Sequence, residues 1–306
     1  MTTDTDLKQL LIKADPSDLG ILVDHITDSG KGRISMTSSV CDALVAAKNK
    51  HTFGTADITL MIDEFQKFGG NTLANILRFG NGVPYKEILF DVAKKMNVSY
   101  AGEPSYEELE GKLLDKVMED CLKNSTEEDL LSIFKELGGI PSNVSGPITM
   151  AVVQTLIKST GFLPYKYAAI IANAVAKSLL GHGLSFATTG GMMRGISAFA
   201  GPIGWGLTAI WTAYDLGSPA YRITIPCVIQ IAYIRQKLKY EEQQASTYTH
   251  VEPIPTTPTT TTANAVPALG TNLKKSLICQ KCGTSAYTGK FCSECGTPFT
   301  KLLPGT

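Results

Sequence analysis

Four cysteines near the carboxyl end constrain this chain more tightly than anything else in it. They form two pairs, Cys279-x-x-Cys282 and Cys292-x-x-Cys295, with nine residues between the pairs and a glycine, Gly283 or Gly296, after each. Tetrahedral zinc takes four thiolates at about 2.3 Å, and two intervening residues let one tight turn aim both sulfurs at one ion. The following glycine lets the backbone close that turn without a Cβ clash. Tyr287-Thr288-Gly289-Lys290 supplies a hairpin between the pairs, and Phe291 and Phe299 offer a minimal core. The spacing predicts a small zinc-ribbon β-hairpin module over residues 276–303 that holds one Zn2+ and folds because it holds it. Four cysteines close the coordination sphere, so the ion is expected to be structural rather than catalytic. The nearby cations, Lys274, Lys275, Lys281 and Lys290, are few. A protein partner is therefore expected for the ribbon, and nucleic acid is not.

The rest of the chain reads as mainly α. Leucine and isoleucine recur every three or four residues from Asp6 to Ala14 and from Ser17 to Ile26. That is the period of one buried helix face. Asp15-Pro16 separates the two, with Ser17 as the expected cap of the second. Further helices are expected over Met36–Lys48, Ala56–Phe68, Asn71–Arg78, from Pro84 through Val92, over Tyr106–Leu122 and over Thr126–Leu137. In Tyr106–Leu122, the residues Leu109, Leu113, Val117 and Cys121 make one stripe. Gly69-Gly70 and Gly138-Gly139 are expected stops. No stretch here alternates at period two.

Composition changes near Pro141. Residues 1–138 hold 23 acidic and 15 basic residues, whereas residues 145–235 hold six basic residues and one acid, Asp215. Such asymmetry predicts different surroundings for the two parts. The apolar part is read as helices over Ile148–Lys158, Pro164–Leu180 and Pro219–Gln243. The β-branched run of the last leaves strand as an alternative, and good helix formers at its end favour helix. Residues 244–275 are threonine- and proline-rich and read as a flexible linker. The expected organisation is an acidic helical domain at 1–140, an apolar helical region at 141–243 packed with it, the linker at 244–275 and the ribbon at 276–303.

Inside the apolar region, Gly195–Tyr214 is twenty residues without a charge, bounded by Arg194 and Asp215. A twenty-residue helix spans about 30 Å, the thickness of a bilayer's hydrocarbon core. The stretch contains both tryptophans, Trp205 and Trp211, a residue type that favours the membrane interface. Small residues recur at intervals of four, Ser197 with Gly201 and Ala200 with Gly204, a spacing that permits close helix approach in lipid. Gly201-Pro202 should split the segment. Two expectations follow: a glycine-rich helical hairpin that contacts membrane lipid or a partner through Trp205, Trp211, Gly201 and Gly204, or the same hairpin buried in a helical body. On the first, Arg222, Arg235, Lys237 and Lys239 flank the next segment on the cytosolic side.

Catalytic patterns are missing from the sequence. Gly80-Asn81-Gly82 is too short for a phosphate loop, and His25, His51, His182 and His250 are scattered. His182 lies between two glycines and reads as a turn residue, with pH sensing as the sharper alternative. Asp63-Glu64 and Glu107-Glu108 are adjacent on helices and read as solvated faces. Cys41, Cys121 and Cys227 read as buried thiols. An enzyme would need a pocket of perturbed carboxylates, for instance around Asn71, Asn75 and Arg78. The start, MTTDTDLKQLL, is acidic and lacks the basic and apolar regions of a secretory signal. The expected location is cytoplasmic, at the inner face of the cell membrane.

Two stretches carry a family resemblance: FGGNTLANILRFGNGVPYKEILFDV (Phe68–Val92) and GPIGWGLTAIWTAYDLGSPAYRITIPCVIQIAYIRQK (Gly201–Lys237). Both resemble the uncharacterised bacterial YaaW family, whose members are sometimes described as similar to ubiquinol–cytochrome c chaperones. The resemblance covers roughly Asp6 to Lys239. It implies a bacterial, helical, cytosolic or membrane-associated protein and brings no catalytic residues with it. The linker and ribbon depart from the shorter family pattern. The functional expectation is a non-enzymatic, membrane-associated helical protein whose ribbon recruits or senses a partner. A soluble helical chaperone or adaptor is the alternative.

Overall fold

The computed structural model describes residues 4–33, 36–69, 82–123, 126, 164–185 and 220–249, together with a short strand pair at 277–278 and 285–286. Eight helices are described: α1 (Thr5–Lys13), α2 (Pro16–Thr27), α3 (Ser38–Asn49), α4 (Thr55–Phe68), α5 (Tyr85–Lys95), α6 (Tyr106–Lys123), α7 (Pro164–Leu180) and α8 (Tyr221–Thr249). Contacts divide the chain into two units, Met1–Val251 and Glu252–Thr306. All eight helices belong to the first. The second contains β1 (Leu277–Ile278) and β2 (Ser285–Ala286), an antiparallel pair.

Local chemistry sets the helix ends. Asp15, not the expected Ser17, caps α2: its carboxylate accepts from Ser17 N at 2.8 Å and from Ser17 Oγ at 2.6 Å, with Pro16 in the first turn. Proline fits there because its missing N–H would be unpaired anyway. Asp4 begins α1, where its Oδ1 accepts from Leu7 N, and its Oδ2 accepts from Tyr85 N at 2.7 Å. One carboxylate thereby pins the starts of α1 and α5 together. Ser105 and Glu108 cap α6 reciprocally, with Ser105 N donating to Glu108 Oε2 and Glu108 N donating to Ser105 Oγ. Gly69 ends α4 as expected, and a side chain there would collide with Val83 and Ile88, so glycine is needed for the returning chain to pack.

The stripe Leu109, Leu113, Val117 and Cys121 is buried, as its spacing implies. Of the segment expected from Pro219, the described part is helix from Tyr221, and α8 runs on to Thr249, into the stretch assigned to the linker from Gln244. Twenty-nine residues make it about 43 Å long. It is the helix around which the others gather: it packs most extensively on α7, then on α2 and α6, and also reaches α1, α4 and α5. Residues 223–234 are buried without interruption, and a helix buried on all faces needs neighbours on all sides. The Tyr165 ring, at the start of α7, stacks on Tyr233 and Tyr240 of α8 at centroid distances of 5.9 and 5.3 Å. The start of α7 is thus beside the later part of α8. The two run antiparallel, and the connection between Leu180 and Tyr221 begins and finishes at one end of the pair.

Candidate functional site

After Ile234 the character of α8 changes within one turn. Arg235, Gln236, Lys237 and Lys239 follow, and each meets an acidic residue of the amino-terminal helices. Arg235 Nε and Nη2 lie 2.8 and 3.2 Å from the two oxygens of Glu110 on α6, and Nη2 is 3.2 Å from Asp6 Oδ2 on α1. Tyr85 Oη of α5 donates to Glu110 Oε1 at 2.7 Å, and the Arg235 guanidinium sits 5.9 Å from the Tyr106 ring centre. Lys237 Nζ is 2.7 Å from Asp18 Oδ2 on α2 and 3.9 Å from Asp15 Oδ2. Gln230 Nε2, almost two turns earlier, donates to the Asp18 carbonyl at 3.1 Å. Lys239 Nζ is 2.6 Å from Glu107 Oε1, to which Gln236 Nε2 also donates at 3.3 Å.

Asp18 and Glu110 are each only 1% exposed. Burial pushes the Asp18 carboxyl up to about 6, opposed by the Lys237 ammonium. Burial also raises Glu110, against the pull of Arg235. The Tyr85 hydroxyl is held well above its usual range by burial and by the Glu110 charge. Burial of Lys237 disfavours its charge, but Asp18, together with Asp15 and Tyr165, raises it overall.

A groove of about 380 Å³ lies over this seam, with Leu10, Tyr106 and Leu238 among its apolar lining. Its charged rim is matched in pairs: Asp6 with Arg235, Glu107 with Lys239 and Lys13 with Glu242. Its one hydroxyl nucleophile outside the tyrosine, Ser105, is engaged in capping α6. Perturbed carboxylates and a groove are therefore both present, yet the carboxylates are closed off by cations. The arrangement clamps helices and offers no activated base.

A second polar node joins α2 to the chain beyond α7. Asp24 is buried, and both of its oxygens lie 2.6 Å from Lys48 Nζ of α3. His182 Nε2 is 3.2 Å from Asp24 Oδ2, with half of its side chain exposed. Neighbouring His25 is buried, and desolvation holds it neutral down to about pH 3, with His182 and Arg33 adding repulsion. Arg33 donates to the carbonyls of Ile26 and His25 at the end of α2. Leu184 N donates to Asn173 Oδ1 at 3.0 Å, folding the chain after Leu180 back onto α7.

The structure revises part of the sequence-based picture. Arg235, Lys237 and Lys239, expected to flank their segment on the cytosolic side, turn onto carboxylates of the body: Arg235 and Lys237 onto the buried Glu110 and Asp18, and Lys239 onto the half-exposed Glu107. Glu64, expected on a solvated face, is buried and paired with Lys67. Glu107 is half-exposed but engaged, and Glu108 is spent on its cap. Cys41, Cys121 and Cys227 are buried free thiols, as expected. Cys279, Cys282, Cys292, Cys295, Trp205, Trp211, Gly201, Gly204, Asn71, Asn75, Arg78, Arg194 and Asp215 lie outside the described residues. Among the described residues no cluster of three or more metal-ligating side chains occurs, and no helix is long and apolar enough to cross a membrane.

Sequence reasoning missed Asp18, Asp24 and Glu110. A signal existed, because Asp18 is spaced three and four residues from Ile21 and Leu22, and Glu110 three and four from Leu113 and Leu114. A carboxylate on the apolar face of a helix has to find a cation.

Comparison with known proteins finds relatives of this chain. The chain is 40% identical to a UPF0174 protein of Helicobacter pylori (strain J99 / ATCC 700824) over 176 residues, which are 57% of this chain and 69% of that protein. A second UPF0174 protein of that strain is 34% identical over 185 residues, 58% of this chain and 88% of the relative. The UPF0174 protein YaaW of Escherichia coli (strain K12) is 27% identical over 239 residues, 76% of this chain and 94% of the relative. No protein-family model and no solved structure matches the chain.

Proposed function

The chain belongs to the UPF0174 family, and we propose that it is a non-enzymatic helical protein that associates with a membrane through the uncharged stretch Gly195–Tyr214. One observation carries this reading. The connection between α7 and α8 begins and finishes at one end of that antiparallel pair, and it contains twenty residues without a charge, both tryptophans included. The ion-paired seam of Arg235, Lys237 and Lys239 begins at the middle of α8, about four turns from Tyr221. A helical body from which a charge-free, tryptophan-bearing insertion leaves at the Leu180–Tyr221 end suits attachment to lipid at the inner face of the cell membrane. A hairpin interrupted at Gly201-Pro202 would dip into the interface rather than span it. The closed ionic pairs around Asp18 and Glu110 favour a structural over a catalytic role. A protein partner for the carboxyl-terminal ribbon belongs to the same reading.

A second reading, a soluble chaperone or adaptor with the hairpin buried or turned to a client, draws support from the inward-facing cations of α8. Arg235 and Lys237 are spent on Glu110 and Asp18 rather than offered to anionic headgroups. The chaperone resemblance expected from the sequence would belong to that reading.

Tryptophan emission separates the two. Vesicles of mixed zwitterionic and anionic phospholipid should shift the emission of Trp205 and Trp211 to the blue and shield both from an aqueous quencher. Unchanged emission, with recovery of the native protein in the cytosolic fraction without detergent, would replace the first reading by the second.

A further inference from the structure

We propose that the body meets anionic phospholipid headgroups beside the Leu180–Tyr221 end of α7 and α8, and that Lys94 and Lys95 of α5 are the cations that bind them. The inference rests on the membrane reading and adds to it the class of lipid and the residues that select it. Three observations support it.

The first is position. Lys95 Nζ lies 5.2 Å from the centre of the Tyr221 ring. Lys94 and Lys95 form the last turn of α5, and Tyr221 opens α8. The end of α5 is therefore beside the start of α8. Exposed Arg222 follows Tyr221, and half-buried Lys177 stands in the last turn of α7. Cations of three helices thus gather where α7 stops and α8 starts.

The second is charge matching. Elsewhere in the body Lys13, Lys48, Lys67, Lys86, Lys116 and Lys123 each meet a carboxylate. Lys94 is exposed and Lys95 half-buried, and neither meets a carboxylate among the described residues. What Lys95 has instead is the face of a tyrosine. Of the acids near this end, Asp24 is buried and held by Lys48 and His182. Asp91 is half-buried, with its charge acting on the Tyr221 hydroxyl, and Asp28 past α2 is exposed. Residues 1–138 hold more acids than bases, so lysines left without carboxylates here are not forced by composition. Cations in the last turn of α5 also favour its dipole, but that role is indifferent to lipid.

The third is apolar. Leu179, in the last turn of α7, is 39% exposed, and among the described residues only Ile12 and Tyr100 are large apolar side chains left as open. A tyrosine ring under a lysine, with an open leucine on the adjoining helix, suits the headgroup layer. Rings and lysine stems take up apolar contact there while the ammonium reaches phosphate.

Sedimentation of the purified full-length chain with vesicles tests this, comparing purely zwitterionic with partly anionic phospholipid at equal total lipid. A lysine near an anionic surface contributes about fivefold to binding, so Lys94→Gln with Lys95→Gln should weaken binding to anionic vesicles about twenty-fold. Added salt should weaken the parent more than this variant. Lys8→Gln with Lys13→Gln on α1 removes two charges beside the later part of α8 and should change binding less than about twofold. Circular dichroism confirms that each variant keeps its helices. A blue shift of tryptophan emission that is equal on zwitterionic and anionic vesicles would overturn this inference and leave the membrane reading standing. So would a Lys94/Lys95 variant that binds like the parent, or a Lys8/Lys13 variant that loses as much. No shift on any vesicle would remove both. Retention on a polyglutamate resin that the Lys94/Lys95 variant loses, without vesicle binding by the parent, would assign the surface to an acidic protein instead.

Discussion

From Ile223 to Ile234, α8 is buried on every face, against the alanine-rich face of α7 and the apolar sides of α2 and α6. From Arg235 to Lys239, the same helix is held by Glu110, Asp6, Asp18 and Glu107. The first half draws its stability from area removed from water, which is non-directional. The second half draws on pairs with one favoured geometry, the forked contact of Arg235 on Glu110 above all. Burial alone would hold α8 in the body without fixing its rotation. The ionic half fixes it, because a turned helix would leave Asp18 and Glu110 buried without their cations.

Breaking the ionic half should therefore cost the most. Arg235→Ala strands Glu110, and the expected loss is about 3–5 kcal/mol in urea denaturation. A loss below that of a trimmed core residue would show that the pairs are incidental to the packing.

Next in size is a pH effect at Asp18. Its folded pKa, about 6, lies above the ordinary carboxylate value of 3.8. The native state therefore holds this proton more firmly than the unfolded chain does. The stability so contributed is full below about pH 4 and is lost as the pH rises through 6. The two-unit gap corresponds to about 3 kcal/mol. Comparing the parent chain with Asp18→Asn between pH 4 and 7, the parent should lose about that much more as the pH rises. Parallel stability curves would mean that Asp18 is not sequestered as its burial implies.

The smallest effect is expected in the apolar half. Ile229→Val removes one methylene from a residue 1% exposed and should cost about 1 kcal/mol. Should it equal Arg235→Ala, the contrast between the halves of α8 would fail.

Much of the body was legible from periodicity. Leu7 and Leu11, the stripe from Leu109 to Cys121, and the stops at Asp15-Pro16 and Gly69 all follow from local rules, and α7 spans the residues expected of it. Cap identity was less legible: Asp15 and Ser17 are both good caps, and Pro16 decides by filling the first helical position. Arg235, Lys237 and Lys239 misled, because a cluster of cations after an apolar run looks alike whether it faces headgroups or buried acids.

What the linear order of residues determined by itself is the helical class of the body, the burial of Cys41, Cys121 and Cys227, and the family to which the chain belongs. Those depend on spacing within a few turns, where side chains at three- and four-residue intervals share a face regardless of what lies beyond. Only the folded body decided which charge meets which. Arg235 and Glu110 are 125 residues apart, and Lys237 and Asp18 are 219 apart. Nothing local selects between one distant acid and another; the choice is made when packing excludes water and an unmatched buried charge becomes too costly to keep.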